Sequence, residues 1–157
     1  MRRDKRGFTL IELLVAVALI GILAGLGMPA FNSMLARNKA ETDLKNLQGA
    51  FNIARLEAIN RSSQMAVVAT NGWGGVIEIR EGSGADAAKV FRTIPGVAAG
   101  GVVAPSGSND KVTTVIFDSL GGLDTPSGSI QFNYSQGGYT GTISVCAAGR
   151  VVLGSCQ

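Results

Sequence analysis

The chain has no histidine and only two cysteines among its 157 residues. Histidine is the commonest general base and metal ligand, so its absence argues against most proton-transfer and metal-based mechanisms. Two thiols alone also make a poor metal site, because structural zinc normally takes four protein ligands. Asp110, Asp118 and Asp124 lie in turn-like sequence near glycine or serine, where carboxylates usually cap turns or face solvent. We therefore expect no enzymatic activity, no metal site and no cofactor.

Without its first seven residues, the chain has no excess of either positive or negative charge. The whole chain carries 14 Lys and Arg against 11 Asp and Glu, a formal charge of +3. Residues 1–7 hold four of these basic residues and one of the acids, which leaves ten of each sign in the rest. The basic balance therefore belongs to the N-terminal stub and does not indicate a nucleic-acid surface.

Charged residues are almost absent from residues 8–28, where Glu12 is the single exception. A helix of these 21 residues would rise about 31 Å, enough to cross the hydrocarbon core of a bilayer. The basic stub precedes this run, and basic residues next to a membrane span stay on the cytoplasmic side. We therefore predict a single-pass membrane anchor with its N-terminus in the cytoplasm and the remainder of the chain across the membrane.

Glu12 is costly in such an anchor. A carboxylate at the centre of a membrane helix costs on the order of 2.5 to 3.5 kcal/mol, and less near one end, so it needs a partner. We expect nothing within the segment to supply one. One explanation is a tolerated acid near the interface, or an ordinary secretory signal with a polar blemish. The other is cleavage after Gly7, which would place a new α-amine on Phe8 that neutralises Glu12 of a neighbouring subunit.

The string GFTLIELLVAVALIGILAGLGMPAF at residues 7–31 resembles the N-terminal signature of type IV pilins and type II secretion pseudopilins. The resemblance implies cleavage after Gly7 by a membrane-embedded prepilin peptidase and N-methylation of Phe8. It implies that Glu12 registers each subunit against its neighbour in a filament, and it places Pro29 at the family's helix kink. The implied partners are other major and minor pilins or pseudopilins, an inner-membrane assembly platform, and membrane lipid before assembly.

Beyond Pro29 the helical pattern continues, with apolar residues at three- and four-residue spacing and charged residues between them. This predicts an amphipathic half of the same helix over residues 29–62, ending at the RSSQ sequence. The apolar stripe from Leu44 onward is expected to pack on the C-terminal domain, while the earlier part stays available to other subunits. Glu41 and Lys45 have the spacing of a favourable ion pair.

The glycine-rich stretch at residues 21–29 is expected to bend or locally melt. Proline removes one backbone donor, and Gly21, Gly25 and Gly27 weaken the helix around it. A second interpretation is that Gly21 and Gly25 form a small-residue packing face, as in many membrane helices. The two uses can coexist.

The remainder is typical of short antiparallel strands joined by glycine-rich turns. Six or seven strands are predicted, and NGWG at residues 71–74 has hairpin-like chemistry. Residues 96–111 form the longest predicted loop, which we interpret as mobile or as a recognition surface. The predicted strand segments are MAVVAT, GVIEIR, KVFRTI, VTTVIF, SIQFNY and TISVC, with VTTVIF a candidate for a more central position.

The order of WGGVIEI, VIFDSLGGL, GSIQFNY and AGRV resembles the GspH/FimT/FimU branch of the pilin superfamily. The resemblance implies an α+β pilin fold, in which a long N-terminal helix packs on a β domain of two small sheets. It divides the chain into a leader (1–7), a transmembrane and filament-core helix (8–28), an amphipathic half-helix (29–62) and a β domain (63–157). It implies a minor pilin that initiates or caps a type IV pilus from the bacterial inner membrane. A GspH-type minor pseudopilin of a type II secretion system is the alternative.

Cys146 and Cys156 would both lie in the oxidising periplasm, which favours a disulfide between them. Closing this short loop would contribute roughly 2 to 3 kcal/mol by the loop-closure model. A redox-active thiol or metal pair is the alternative.

DNA reception is a second alternative function, because FimT-type minor pilins resemble this chain and some bind DNA. Their C-terminal motif is GR followed by a further basic residue. Here Arg150 is present but Val152 stands where the second basic residue would be. Lys111 and Arg150 are the only basic residues from Gly101 onward, so phosphate binding is disfavoured.

Overall fold

The computed structural model describes residues 8–83, 89–97 and 100–156, and the side chains of residues 26–30 and 108 are not part of that description. These ranges contain one long helix, α1 (Leu10–Arg61), and nine strands. The predicted leader, residues 1–7, lies outside them. The strands are β1 (Met65–Ala69), β2 (Ile77–Glu81), β3 (Val90–Ile94), β4 (Val102–Pro105), β5 (Thr114–Phe117), β6 (Leu123–Thr125), β7 (Ile130–Gln136), β8 (Tyr139–Val145) and β9 (Val151–Leu153).

The strands form two antiparallel sheets. The first has the order β3-β2-β1-β5-β6 and the second the order β4-β7-β8-β9. The longest pairing joins β7 to β8, from Ile130 opposite Val145 to Gln136 opposite Tyr139. The predicted α+β fold of a helix and two small sheets is confirmed. VTTVIF, which contains β5, does lie inside its sheet between β1 and β6.

The chain divides into two compact units, of which the first ends at Leu35 and the second begins at Ala36. The second unit contains both sheets and the C-terminal half of α1. This half of the helix belongs with the sheets because its apolar stripe forms part of their core, as predicted. Leu44, Leu47, Phe51, Ala54 and Ala58 are all buried.

An aromatic cluster lies at the centre of this core. Phe51 of α1 packs against Trp73 and Phe132, with ring centroids 5.7 Å and 5.4 Å away, and Trp73 and Phe132 lie 4.6 Å apart. The indole nitrogen of Trp73 donates a 2.6 Å hydrogen bond to the carbonyl of Val112. The buried indole therefore keeps a partner while its ring packs against the helix and the second sheet.

The stretch predicted as a long loop, residues 96–111, is not all loop. It contains β4, which pairs with β7 from Val102 opposite Ser135 to Pro105 opposite Phe132. Val103 is buried while Val102 is exposed, so one face of the strand is covered and the other faces solvent. This four-residue strand was missed because it is short and lies among glycine and proline residues. The three-residue strands β6 and β9 were missed because they are short.

The helix ends at the predicted RSSQ sequence. Ser62 has a positive φ of 49°, and its N–H donates to the carbonyl of Ile59 at 3.2 Å. The N–H of Ser63 donates to the carbonyl of Ala58 at 3.2 Å. These two bonds are the Schellman pattern, with serine in the left-handed position that glycine usually takes.

The predicted ion pair between Glu41 and Lys45 is wrong. Glu41 instead accepts a 2.9 Å hydrogen bond from Arg37, one turn earlier on the helix. The guanidinium fork matches a carboxylate better than a lysine ammonium does, so arginine takes the shared acid. The hydrogen bond to Glu41 raises the pKa of Arg37. Lys45 has no ion pair within the described ranges.

The predicted local melting of residues 21–29 is not present, because α1 continues from Leu10 to Arg61 without interruption. Proline removes a single backbone donor, and strong helix formers such as Leu23, Ala24 and Leu26 surround it in sequence. The remaining backbone bonds are therefore sufficient in a single chain. A bend in this stretch and its opening inside a filament stay predictions.

Candidate assembly surface

The N-terminus of α1 is closed by a reciprocal pair of residues, Thr9 and Glu12. The carboxylate of Glu12 accepts hydrogen bonds from the Thr9 backbone N–H at 2.9 Å and from the Thr9 hydroxyl at 3.0 Å. The Thr9 hydroxyl in turn accepts from the backbone N–H of Glu12 at 3.3 Å. This arrangement is a capping box, in which threonine is the N-cap and glutamate the third helical residue.

The expectation that Glu12 has no partner within its own segment is therefore wrong. Its partner is a neutral hydroxyl and a backbone amide, where the sequence interpretation looked for an opposite charge. The signal was present in the sequence, since T-L-I-E at residues 9–12 has the spacing of a capping box directly before an apolar run. Thr9 is thus a functional candidate that the first interpretation missed.

The helix that follows is almost entirely uncovered in the single chain. Among its large apolar side chains up to residue 23, the exposed fraction ranges from 52% at Val15 to 76% at Leu10, and Phe8 just before the helix is 89% exposed. Phe8, Glu12 and Val15 line one shallow groove along the helix, so the residue predicted to become the N-terminus and the acid share a face. Within the described helical residues, no stretch is both long and apolar enough to qualify as a membrane span.

The other predicted processing and assembly residues are placed only in part. Gly7 lies outside the described residues, so the structure does not describe the predicted cleavage site. Pro29 lies within α1, and only its backbone is described. After these positions Phe31 and Met34 remain more than 60% exposed, which leaves this part of the helix uncovered as expected.

Cys146 and Cys156 form a disulfide, with their Cα atoms 5.7 Å apart, which confirms the predicted pairing. The bond ties the end of β8 to the segment after β9. Inside the loop, the N–H of Gly149 donates to the carbonyl of Cys146 at 2.7 Å. The N–H of Cys146 donates to the carbonyl of Arg150 at 2.8 Å, so the turn is braced by backbone bonds as well.

The glycine of the Gly149–Arg150 pair has a packing role. A Cβ on Gly149 would overlap the carbonyl oxygen of Gly121 in the neighbouring loop, and its φ of +75° also disfavours a side chain. Arg55 of α1 fixes the two loops, because its Nε donates to the Gly121 carbonyl at 2.8 Å and its Nη2 to the Ala148 carbonyl at 3.4 Å. Arg150 is exposed.

Asp118 and Asp124 have ordinary turn or surface roles, and Asp110 is exposed. One oxygen of Asp118 accepts 2.8 Å hydrogen bonds from the backbone N–H groups of Leu120 and Gly122, which closes the turn between β5 and β6. Asp124 accepts from the side-chain amide of Gln64 at 3.3 Å. Among the described residues, no group of three or more acidic or sulfur-bearing side chains is placed to hold a metal ion.

Two family models match the chain. The prokaryotic N-terminal methylation motif matches residues 2–28, and the type II transport protein GspH matches residues 43–149. The type IV major fimbrial protein FimA of Dichelobacter nodosus is 52% identical over 40 residues, which are 26% of this chain and 25% of that protein. The chain thus matches only about a quarter of the length of such curated relatives.

Solved structures share the fold over a much larger part of the chain. The type IV minor pilin FimU of Pseudomonas aeruginosa (strain PAO1) has a TM-score of 0.67 at 23% identity, covering 76% of this chain and 90% of that one. The minor pseudopilin EpsH from the type 2 secretion system of Vibrio cholerae has a TM-score of 0.56 at 9% identity, covering 73% and 95%. The GspH match covers more than half of the chain. The chain therefore belongs to the GspH family of type IV pilin and pseudopilin subunits, whose members are structural subunits.

Proposed function

We propose that this protein is a minor pilin of a type IV pilus, incorporated at the tip or in the initiation complex to prime filament assembly. One observation carries the proposal. The N-terminal part of α1 is apolar and exposed, with the single acid Glu12 at its start, and the same chain contains a folded domain that resembles FimU. The helix supplies the part that packs among other subunits. The domain supplies a distinct surface that a tip or initiation complex can use.

The proposed path begins in the bacterial inner membrane. The anchor is residues 8–28, an expectation that rests on the sequence, with the N-terminus cytoplasmic and the β domain periplasmic. Prepilin peptidase cleaves after Gly7, and the amine of Phe8 is methylated. The assembly platform then transfers the subunit from lipid to the filament, where other pilins cover the exposed helix.

The capping box gives Glu12 two successive states. In the isolated subunit, Thr9 donates two hydrogen bonds to the carboxylate, which reduces the cost of holding an acid in an apolar segment. In the filament, the cationic amine of a neighbour's Phe8 adds an opposite charge, which the neutral Thr9 cap does not offer. Assembly therefore gains a hydrogen bond in which both donor and acceptor are charged.

Two substitutions at Glu12 separate capping from charge. Glu12→Gln keeps a side-chain oxygen that accepts from Thr9, as in a glutamine capping box, but removes the charge. Glu12→Ala removes both. We expect both variants to be inserted and cleaved after Gly7 like the wild type, and both to be depleted from sheared pili. Incorporation of Glu12→Gln at the wild-type level would show that capping, and not the charge, is what Glu12 contributes.

A minor pseudopilin of a type II secretion system is the second candidate, favoured by the GspH match over residues 43–149 and by the fold shared with EpsH. The two candidates share the argument from the exposed helix and Glu12 and differ in the filament that contains the chain. Mass spectrometry of sheared surface filaments, together with a secretion assay on the deletion strain, distinguishes them. Absence from pili combined with a secretion defect would establish the pseudopilin role.

A further inference from the structure

A shallow groove lies on the second unit, between one face of α1 and the edge strand β3. Its volume is about 280 Å³. Lys45, Asn46 and Gly49 line it from the helix, and Arg92 and Thr93 line it from the strand. β3 is the outermost strand of the five-stranded sheet on this side, so the groove runs along a sheet edge. It is separate from the N-terminal helical surface described above.

The groove is cationic and contains no acid. Lys45 and Arg92 are both exposed, and no carboxylate is among the lining residues. Neither cation has an ion pair within the described part of the chain. For Lys45 the reason is that Glu41, one turn earlier on the helix, is bound by Arg37. Two unpaired cations facing one open groove favour a ligand that carries carboxylates or another anion.

The floor of the groove contains a glycine that the fold itself does not require. Glycine inside a helix is less favourable than alanine, because its backbone loses more conformational freedom on folding. A Cβ added at Gly49 would meet nothing within 4 Å, whereas a Cβ at Gly141 would lie 2.6 Å from the Leu44 side chain. Packing within the described residues therefore explains Gly141 but does not explain Gly49.

We propose that this groove binds an extended acidic segment of a neighbouring subunit, whose carboxylates pair with Lys45 and Arg92 while its backbone lies against Gly49. The inference rests on the proposed function, because the occupant is another subunit of the filament. An extended segment beside β3 can also form hydrogen bonds with the open edge of the strand. Nucleic acid is a poorer fit, because two cations neutralise too few phosphates and a bare helix backbone offers them nothing.

A photocrosslinking amino acid at Thr93 of the full-length chain in its native host tests the proposal. We expect a crosslinked product with another pilin-family subunit, joined at a peptide that contains Asp or Glu. Its yield should fall at least about tenfold in the Lys45→Glu, Arg92→Glu double variant, in which two ion pairs become like-charge contacts. A photocrosslinker at Thr140, exposed on β8, is the control for non-specific capture.

Gly49→Ala gives a second and independent readout. It should raise the melting temperature, because alanine is the better helix former, and yet lower the Thr93 crosslink at least about fivefold by filling the floor of the groove. Asn60→Ala, on an exposed part of the same helix outside the groove, should leave the crosslink unchanged. An undiminished crosslink in Gly49→Ala would contradict close backbone contact at this position.

A photocrosslinker at Phe31, on the exposed N-terminal half of α1, distinguishes failure of this proposal from failure of the proposed function. Crosslinks from Phe31 without any from Thr93 would overturn the groove proposal alone. Absence of both would overturn the two together. A Thr93 crosslink that survives the charge reversals, or duplex DNA binding by the purified full chain that the same reversals abolish, would also overturn it.

Discussion

The phenol of Tyr134 on β7 donates a 2.7 Å hydrogen bond to the carboxylate of Asp43 on α1, across 91 residues of sequence. Both side chains are buried, with 1% and 8% of their surfaces exposed. The amide oxygen of Gln136 lies 2.6 Å from the same hydroxyl. The bond fixes the amphipathic half of the helix to the second sheet with a polar contact that the surrounding apolar core cannot replace.

Tyr134→Phe should therefore destabilise the protein by about 1 to 3 kcal/mol, because it leaves the buried carboxylate of Asp43 with one donor fewer. The melting temperature should fall by roughly 3 to 10 °C, measured by circular dichroism. Tyr139→Phe is the matched control, since that tyrosine is only half-buried, and it should change the free energy of unfolding by less than about 0.5 kcal/mol. Equal effects of the two substitutions would contradict the assigned role of the Asp43 bond.

The same contact predicts a loss of stability at high pH. Burial, and then the hydrogen bond to Asp43, raise the pKa of Tyr134 above its ordinary value. The unfolded phenol titrates near pH 10, so its contribution is complete below about pH 10 and is lost as pH rises toward the folded pKa. Urea midpoints between pH 8 and about 11 should fall more steeply for the wild type than for Tyr134→Phe. Parallel curves would show that other groups cause the decline.

Thr9→Val should open the N-terminus of α1, because valine cannot accept from the Glu12 N–H or donate to its carboxylate. An N-cap of this kind contributes about 0.5 to 2 kcal/mol. The backbone amides of Glu12 and Leu13, which donate to the hydroxyl and the carbonyl of Thr9, should exchange several-fold faster in the full chain in detergent micelles, measured by NMR. Thr9→Ser keeps the hydroxyl and should retain slow exchange. Equal rates in the two variants would indicate that the cap is absent in solution.

Removing the disulfide should cost roughly 2 to 3 kcal/mol, because Cys146 and Cys156 close a loop of only ten residues in sequence separation. The Cys146→Ser, Cys156→Ser double variant should show this loss in urea unfolding, and reductant should produce the same loss in the wild type. Reductant should leave the double variant unchanged. Thiol labelling of the wild type without reductant should find no free cysteine, and stoichiometric labelling would contradict the bond.

The parts of the fold that were predictable have local signatures. The buried stripe at Leu44, Leu47 and Phe51 has helical spacing, and the stop at Ser62 follows from polar residues after that stripe. β4 was missed because Val102 and Val103 are surrounded by glycine and proline, and their strand exists only through pairing with β7. The residues next to β4 in sequence give no information about its pairing with the distant strand β7.

The candidate site divides in the same way. The sequence shows directly that Glu12 lies inside an apolar run. It also predicts the Thr9 cap, because Thr9 and Glu12 have the spacing of a capping box. Arg55 has no such signal, because it binds backbone carbonyls of loops that lie 66 and 93 residues further along the chain. Any residue type can supply a carbonyl, so the sequence does not mark those partners.

We interpret the Gly149–Arg150 pair as a structural turn. Gly149→Ala should destabilise the protein by more than about 2 kcal/mol, because the added Cβ overlaps the Gly121 carbonyl and the φ is positive. Gly154→Ala is the matched control, since its φ is +101° but nothing lies within 4 Å of the added Cβ. Gly154→Ala should lower the free energy of unfolding by less than Gly149→Ala does, because only the unfavourable positive φ contributes to its loss.

Arg150→Ala should leave stability within about 0.5 kcal/mol of the wild type, because the side chain is exposed and without an ion pair in the described ranges. If the pair only forms the turn, the wild type should also lack specific affinity for duplex DNA in a gel-shift assay at low salt. Phosphate binding strong enough to matter requires several clustered cations, and Lys111 and Arg150 are the only two from Gly101 onward. Micromolar, salt-sensitive binding that disappears in Arg150→Ala would instead establish DNA reception at this turn.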